Sequence, residues 1–236
     1  MLEVIYQTWP QFKDLPEEKV IRWYETYKAQ ETIDNEKYFN LHSSSLVPTS
    51  ILIYINLFHN QIEKYRGKFS RWGVNHTNFP RYGIPLTNLT GSLEEENDPS
   101  RMPLDEHFMY HQDKYIIHDN DVTVHTEICD LSSLNPLDQI KPYLVRSSVL
   151  RWDAMGHFKP HIDVELPAPN LRLWGTTNPN MFLKINGQLI KDLEPGRIYI
   201  IDTSKIHEGW ATENDVYQFF IGCNIESYDT LVNISQ

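Results

Sequence analysis

The segment MFLKINGQLIKDLEPGRIYIID, residues 181–202, decides the fold class. Asn186-Gly187 sits between two apolar runs, and both central positions of a two-residue hairpin need positive φ, which Asn and Gly tolerate. Pro195-Gly196 marks a second turn, followed by the apolar run of Ile198 to Ile201. Working outward, YLVRSSVLRW, HIDVEL, NLRLWGTT and DVYQFFIGC add further short strand-like runs without intervening helices. Such a series predicts an antiparallel sandwich or jelly roll.

Upstream the texture differs. DLPEEKVIRWYETYKAQE offers Asp14 as an N-cap, Pro16 in the first turn and acidic residues at the positive end of the helix dipole. Val20, Trp23, Tyr24 and Tyr27 follow helical spacing. A second helix is expected from Thr49 to Tyr65, although its ILIYI start also suits a strand. A short helix, SSLNPLDQIK, is expected to stop at Pro142. From Arg71 to Asp121 the chain is irregular, with an acidic EEEND run that reads as a solvated loop. It is either a lid over a site or a set of short strands. The expected architecture is mainly β with a helical extension (α+β) and a jelly-roll core. Residues 1–142 supply helices and an irregular lid, and residues 143–236 supply the core strands of one structural domain.

Composition narrows the function. The 236 residues include 40% hydrophobic and 22% charged residues, enough for a sizeable core. A formal net charge of -11 disfavours a nucleic-acid or anionic-membrane binder. The most apolar run, SILIYINLF, is too short to span a bilayer, and no signal peptide is expected. Cys129 and Cys223, the two cysteines, form no closely spaced zinc or redox motif, which suits a reducing, cytoplasmic setting.

The chemistry centres on His161 and Asp163. Residues i and i+2 of a strand point to one face, so an imidazole and a carboxylate can enter the barrel together. They are two-thirds of the facial triad of non-haem Fe(II) oxygenases, which leaves metal positions open for cosubstrate and oxygen. His-x-Asp alone is weak: His111-Asp113 repeats it and His125-Thr126-Glu127 comes near. Gly156 and Pro160, however, set His161 after a tight corner, and a polar break after the strand of Ile198 to Ile201 leads to His207. The spacing lets an antiparallel roll return His207 to His161 and Asp163. Arg172, between Leu171 and Leu173, is a candidate clamp for a dicarboxylate because a guanidinium binds a carboxylate through parallel hydrogen bonds. Arg151 and Arg197 compete for that role. Trp152, Trp174 and Trp210 lie near the candidate ligands; aromatics in strands are more often core than pocket lining.

SVLRWDAMGHFKPHIDVELPAPNLRLWGTT followed by PGRIYIIDTSKIHEGWATENDVYQFF resembles the aspartyl/asparaginyl β-hydroxylase-like branch of the Fe(II)- and 2-oxoglutarate-dependent oxygenases, to which free-proline hydroxylases also belong. The resemblance covers the C-terminal strands only. It implies a double-stranded β-helix, Fe(II) at His161, Asp163 and His207, 2-oxoglutarate and O2 as cosubstrates, and Ser148 with Arg172 at the cosubstrate carboxylate. Where many members carry a basic residue on the last strand, this chain has Tyr217 and Gln218, which places more weight on Arg172. The expected activity is hydroxylation of a free amino acid or a protein side chain. Arg71, Arg81 and Trp174 are candidate substrate contacts. Two alternatives stand beside it: a cupin-type metalloenzyme that does not use 2-oxoglutarate, and a non-enzymatic jelly-roll binding module.

Overall fold

The computed structural model describes residues 1–8, 13, 17–18, 20–21, 24, 45–72, 81–94, 122–161, 171–203, 205–224 and 227–235. Its centre is a pair of antiparallel sheets. The larger contains β1 (Leu46–Leu52), β2 (Ser70–Trp72), β3 (Arg81–Pro85), β6 (Leu144–Trp152), β8 (Leu171–Thr176), β11 (Arg197–Ile201) and β13 (Val216–Cys223), in the order β1-β11-β8-β13-β6-β3-β2. The smaller contains β7 (His157–His161), β9 (Met181–Ile185), β10 (Gln188–Leu189) and β12 (His207–Ala211), in the order β10-β9-β12-β7. From β6 onward the chain passes back and forth between the two sheets, with the β9–β10 hairpin kept within the smaller one, which defines a double-stranded β-helix. A separate two-stranded ribbon pairs β4 (Thr87–Asn88) with β5 (Val124–His125).

Two apolar layers flank the larger sheet. Between the sheets, Leu150, Trp152, Trp174, Tyr199 and Ile201 meet Met181, Leu183, Ile185 and Ala211. On the other side, Val149, Leu173, Phe219 and Ile221 form a core with Phe58 and Ile62 of helix α2 (Ile55–Ile62). The alternation along β8 and β13 explains this, since neighbouring strand residues point to opposite faces. Cys129 and Cys223 are buried in the outer core and are not disulfide-bonded. Burial pushes their thiols up to about 11 and about 12, so both are held protonated near neutral pH.

The hairpin at 186–187 forms as its sequence demands: Asn186 has φ 50° and Gly187 has φ 75°. In the Glu194–Arg197 turn Gly196 takes φ 86°, and the Arg197 N–H donates to the Glu194 carbonyl at 3.1 Å. The strand expected over QLIKDL is confined to Gln188–Leu189.

Several expectations need correction. The helix read from Thr49 to Tyr65 starts only at Ile55, and the preceding segment is β1. Val47, Thr49 and Ile51 are buried while Ser50 and Leu52 are exposed, a period of two that outweighs the helical reading. Pro48 is tolerated because β1 is an edge strand. The helix expected over SSLNPLDQIK is a pair of 3-10 segments, Ser132–Leu137 and Lys141–Tyr143. Pro136 and Pro142 lie inside them rather than ending them. Part of the irregular Arg71–Asp121 region consists of short strands, β2 to β4, and β3 pairs with β6 in the main sheet. Residues before 143 thus supply three strands of the larger sheet.

The N-terminal helix α1 (Leu2–Thr8) was not expected. Of the helix read from Asp14 onward, Glu17, Glu18, Val20, Ile21 and Tyr24 are helical, and the remainder lies outside the described residues. The chain closes on helix α3 (Tyr228–Ile234), whose Leu231 and Ile234 join the outer core. Among the described residues, no helix is long and apolar enough to cross a membrane.

Candidate metal and cosubstrate site

Strand β12 lies between β9 and β7, and its first residue, His207, stands in register with His161 at the end of β7. His207 also pairs with Ile185, whose side chain belongs to the inter-sheet core, so both histidines face the larger sheet. Their ring centroids are 4.2 Å apart with planes inclined by 52°.

A bulge sets this arrangement. His207 pairs with His161 and Gly209 with Phe158, so three steps along β7 match two along β12. Without the extra residue, positions 158 and 161 would point to opposite faces. With it, Phe158 packs against the inter-sheet core and its ring lies edge-on to His161, centroids 3.8 Å apart. The polar break leads to His207 as expected, and His207 opens strand β12. The break is the Asp202–Ile206 loop, where the Lys205 N–H donates to the Asp202 carbonyl at 3.3 Å.

Nδ1 of His207 lies 3.0 Å from the Lys205 carbonyl oxygen. A carbonyl only accepts, so Nδ1 carries a proton and donates, and Nε2 is the ring nitrogen that would ligate a metal. A backbone carbonyl partner of this kind fixes the ring and tautomer of a ligating histidine. Asp163, the expected third ligand, lies outside the described residues, as do His111 and Asp113. Among the described residues, no cluster of three or more His, Cys, Asp or Glu side chains is assembled for a metal.

The sheet opposite carries the cations. Arg172 is 6% exposed, faces inward between Leu171 and Leu173 of the outer core, and has its guanidinium carbon 4.9 Å from the Phe220 ring centroid. Ser148, also buried, pairs with Phe220 and shares that face. The rival arginines are engaged elsewhere. Arg151 lies over the Tyr82 ring at 4.5 Å, 3.8 Å from Asp215. Arg197 donates to Glu194 at 2.9 Å and to the Thr49 carbonyl at 3.0 Å.

Arg81 is buried on β3 in register with Trp152. Its guanidinium carbon lies 3.9 Å from the Phe158 ring centroid and 5.3 Å from that of Trp152. Arg81 and His161 therefore both lie against the Phe158 ring. Trp152 in turn donates its indole N–H to Gln218 Oε1 at 3.0 Å, so Gln218 is the inward polar residue of β13. Tyr217 faces the outer core beside Phe58.

Trp174 packs in the inter-sheet core, 6.4 Å from Tyr199. Trp210 stacks on Phe182 beside Lys184 and His157, on the opposite face of β12 from His207. On that same outer face Glu208 accepts from Lys184 at 2.9 Å and pairs with His157 at 3.0 Å. Burial opposes ionisation of Glu208, but those two partners hold its carboxyl below the usual range. Arg71 stands in register with Tyr82 on the β2–β3 hairpin. Phe158 and the Lys205 carbonyl escaped sequence analysis, because only the bulge and loop geometry bring them to the histidines.

No family model matches the chain, and no curated protein does. Among solved structures, a prolyl hydroxylase from Trichoplax adhaerens, in complex with a hypoxia inducible factor oxygen degradation domain peptide, is similar with a TM-score of 0.44 and 12% identity. That match covers 89% of this chain and 95% of the other. A Pseudomonas putida prolyl-4-hydroxylase gives a TM-score of 0.41 and 8% identity over 78% of this chain and 95% of its own. KdgF from Halomonas sp. gives 0.28 and 15%, over 37% and 74%. Likeness this distant assigns no residue role; the fold rests on the chain's own sheets.

Proposed function

We propose that the chain is a non-haem Fe(II)- and 2-oxoglutarate-dependent dioxygenase that hydroxylates an amino acid or a protein side chain. The observation that carries this reading is the His161–His207 pair: two imidazoles in register on neighbouring strands, both facing inward, one with its Nδ1 proton committed to a backbone carbonyl. The donor set suits a first-row metal: two imidazoles, with the carboxylate of Asp163 two residues beyond His161.

Bound Fe(II) with 2-oxoglutarate and O2 would supply the oxidising chemistry, coupling decarboxylation to succinate with insertion of one oxygen atom into a C–H bond of the substrate. The protein's own contribution is orientation and exclusion of water. Arg172, assisted by the Ser148 hydroxyl, holds the far carboxylate of 2-oxoglutarate from the sheet opposite the histidines. Phe158, Trp152 and Phe220 line the inward faces and keep the pocket poor in water, which strengthens each charged contact inside it. Arg81, against the Phe158 ring, would serve the substrate side and suits a carboxylate or other anionic group.

Succinate formation from 2-oxoglutarate in air, with Fe(II) and a reductant, tests the reading when measured by NMR with and without the common free amino acids. Wild type should form succinate above a protein-free control. Arg172→Met should form about tenfold less at subsaturating 2-oxoglutarate, the size expected for loss of one charge-assisted contact. Equal succinate formation by wild type and His207→Ala contradicts the proposal. A cupin-type metalloenzyme or a binding module would form none.

A further inference from the structure

We infer that Gly222 is a positioning residue, whose missing side chain gives the Arg172 guanidinium its seat and so sets selectivity for a 2-oxo acid bearing a second carboxylate. The inference rests on the proposed cosubstrate role of Arg172. Gly222 stands directly opposite Arg172 across the β8–β13 pair and opposite Val145 on β6. A Cβ there would lie 2.6 Å from Arg172 Nη1, and 3.0 Å from both the Arg146 carbonyl oxygen and Val145 Cγ2. The first distance is below any ordinary contact, so the guanidinium occupies the volume that a side chain at position 222 would fill.

The backbone around the seat is built to hold it. Two steps along β13, from Phe220 to Gly222, match three along β6, from Val145 to Ser148, so β6 bulges at Arg146 and Ser147. Ser147 closes that bulge. Its hydroxyl accepts the Gly222 N–H at 3.0 Å and donates to the Val145 carbonyl at 2.6 Å. Phe220 supplies the ring face under the guanidinium. The seat thus combines a glycine, an aromatic floor and a hydroxyl-tied bulge around one buried cation. A methyl at 222 makes its closest approach, 2.6 Å, to the far end of a flexible side chain, so Arg172 has to move, while the Arg146 carbonyl and Val145, each at 3.0 Å, need give only by a few tenths of an ångström. A guanidinium binds a carboxylate well only when its fork is aimed at it, so a displaced tip loses the far carboxylate while the chelating end of the ligand is untouched.

Anaerobic titration of the Fe(II)-loaded protein tests this, following the visible charge-transfer band for 2-oxoglutarate and for 2-oxopentanoate, which has a methyl in place of the far carboxylate. For Gly222→Ala the 2-oxoglutarate midpoint should rise by about tenfold to a hundredfold. The 2-oxopentanoate midpoint should stay within about twofold of wild type, and the midpoint for Fe(II) itself should be unchanged. In an Arg172→Lys background, where Nη1 is gone, the same alanine should change the 2-oxoglutarate midpoint by less than about twofold. If Gly222→Ala alone fails to fold, recovery of folding in the Arg172→Lys background still supports the conflict between the two side chains. An unchanged 2-oxoglutarate midpoint, an equal loss for both 2-oxo acids, or additive effects with Arg172→Lys overturns the role of Gly222 and leaves the proposed function standing. A wild-type protein that gives no band with either acid overturns the proposed function, and this inference with it.

Discussion

Replacing His207 with alanine is expected to lower Fe(II) affinity by at least about a hundredfold, since altering only the partners of metal ligands already costs ten- to a hundredfold. The substitution leaves Lys205 and the sheet pairing of β12 in place, because that pairing is made by backbone groups and Gly209 to Ala211 continue the strand. Melting temperature and far-UV circular dichroism should therefore stay close to wild type while metal is lost. His157→Ala supplies the control. Its imidazole sits on the outer face of the same strand pair, bonded to Glu208 beside Trp210. Fe(II) affinity in that variant should stay within about twofold of wild type, because residues across the sheet with no shared partner act independently. Equilibrium metal binding measured on the two variants separates a ligand from a bystander.

Phe219→Ala is expected to destabilise the fold by about 3–5 kcal/mol, the range for emptying a fully buried phenylalanine site. Phe219 is completely buried on β13, with its ring edge-on to Phe58 of α2 at 5.1 Å. It bridges the larger sheet to the helix that covers it, and β13 runs between β8 and β6, the strands that carry Arg172 and Ser148. Urea unfolding should show a lower midpoint with an unchanged slope, since the surface exposed on unfolding hardly differs. A loss below about 1 kcal/mol would show that the layer between α2 and the sheet contributes little.

The C-terminal strands were legible because their cues are local. Asn186-Gly187 demanded a hairpin, and Arg172 faces away from the two leucines that flank it, as strand alternation requires. Two features of the site were not legible. The bulge that turns His161 inward depends on the match between β7 and β12, strands separated by the whole of β8 to β11 in sequence. The 207–211 strand, HEGWA, carries a glycine and a glutamate and has little strand propensity of its own; pairing on both sides, with β7 and β9, makes it one. Likewise β1 reads as the start of a helix until its partner β11 is known, because Ile51 and Ile53 suit either period. Gly222 gave no signal at all, since its reason lies in the space taken by Arg172 across the sheet.

The central claim is that His161 and His207 hold iron that 2-oxoglutarate can chelate. Its most direct test is anaerobic addition of Fe(II) and then 2-oxoglutarate to the apo-protein, with His161→Ala in parallel. The account predicts a weak visible charge-transfer band that requires both additions and is absent in the variant. No band in wild type, with no iron retained, would contradict it.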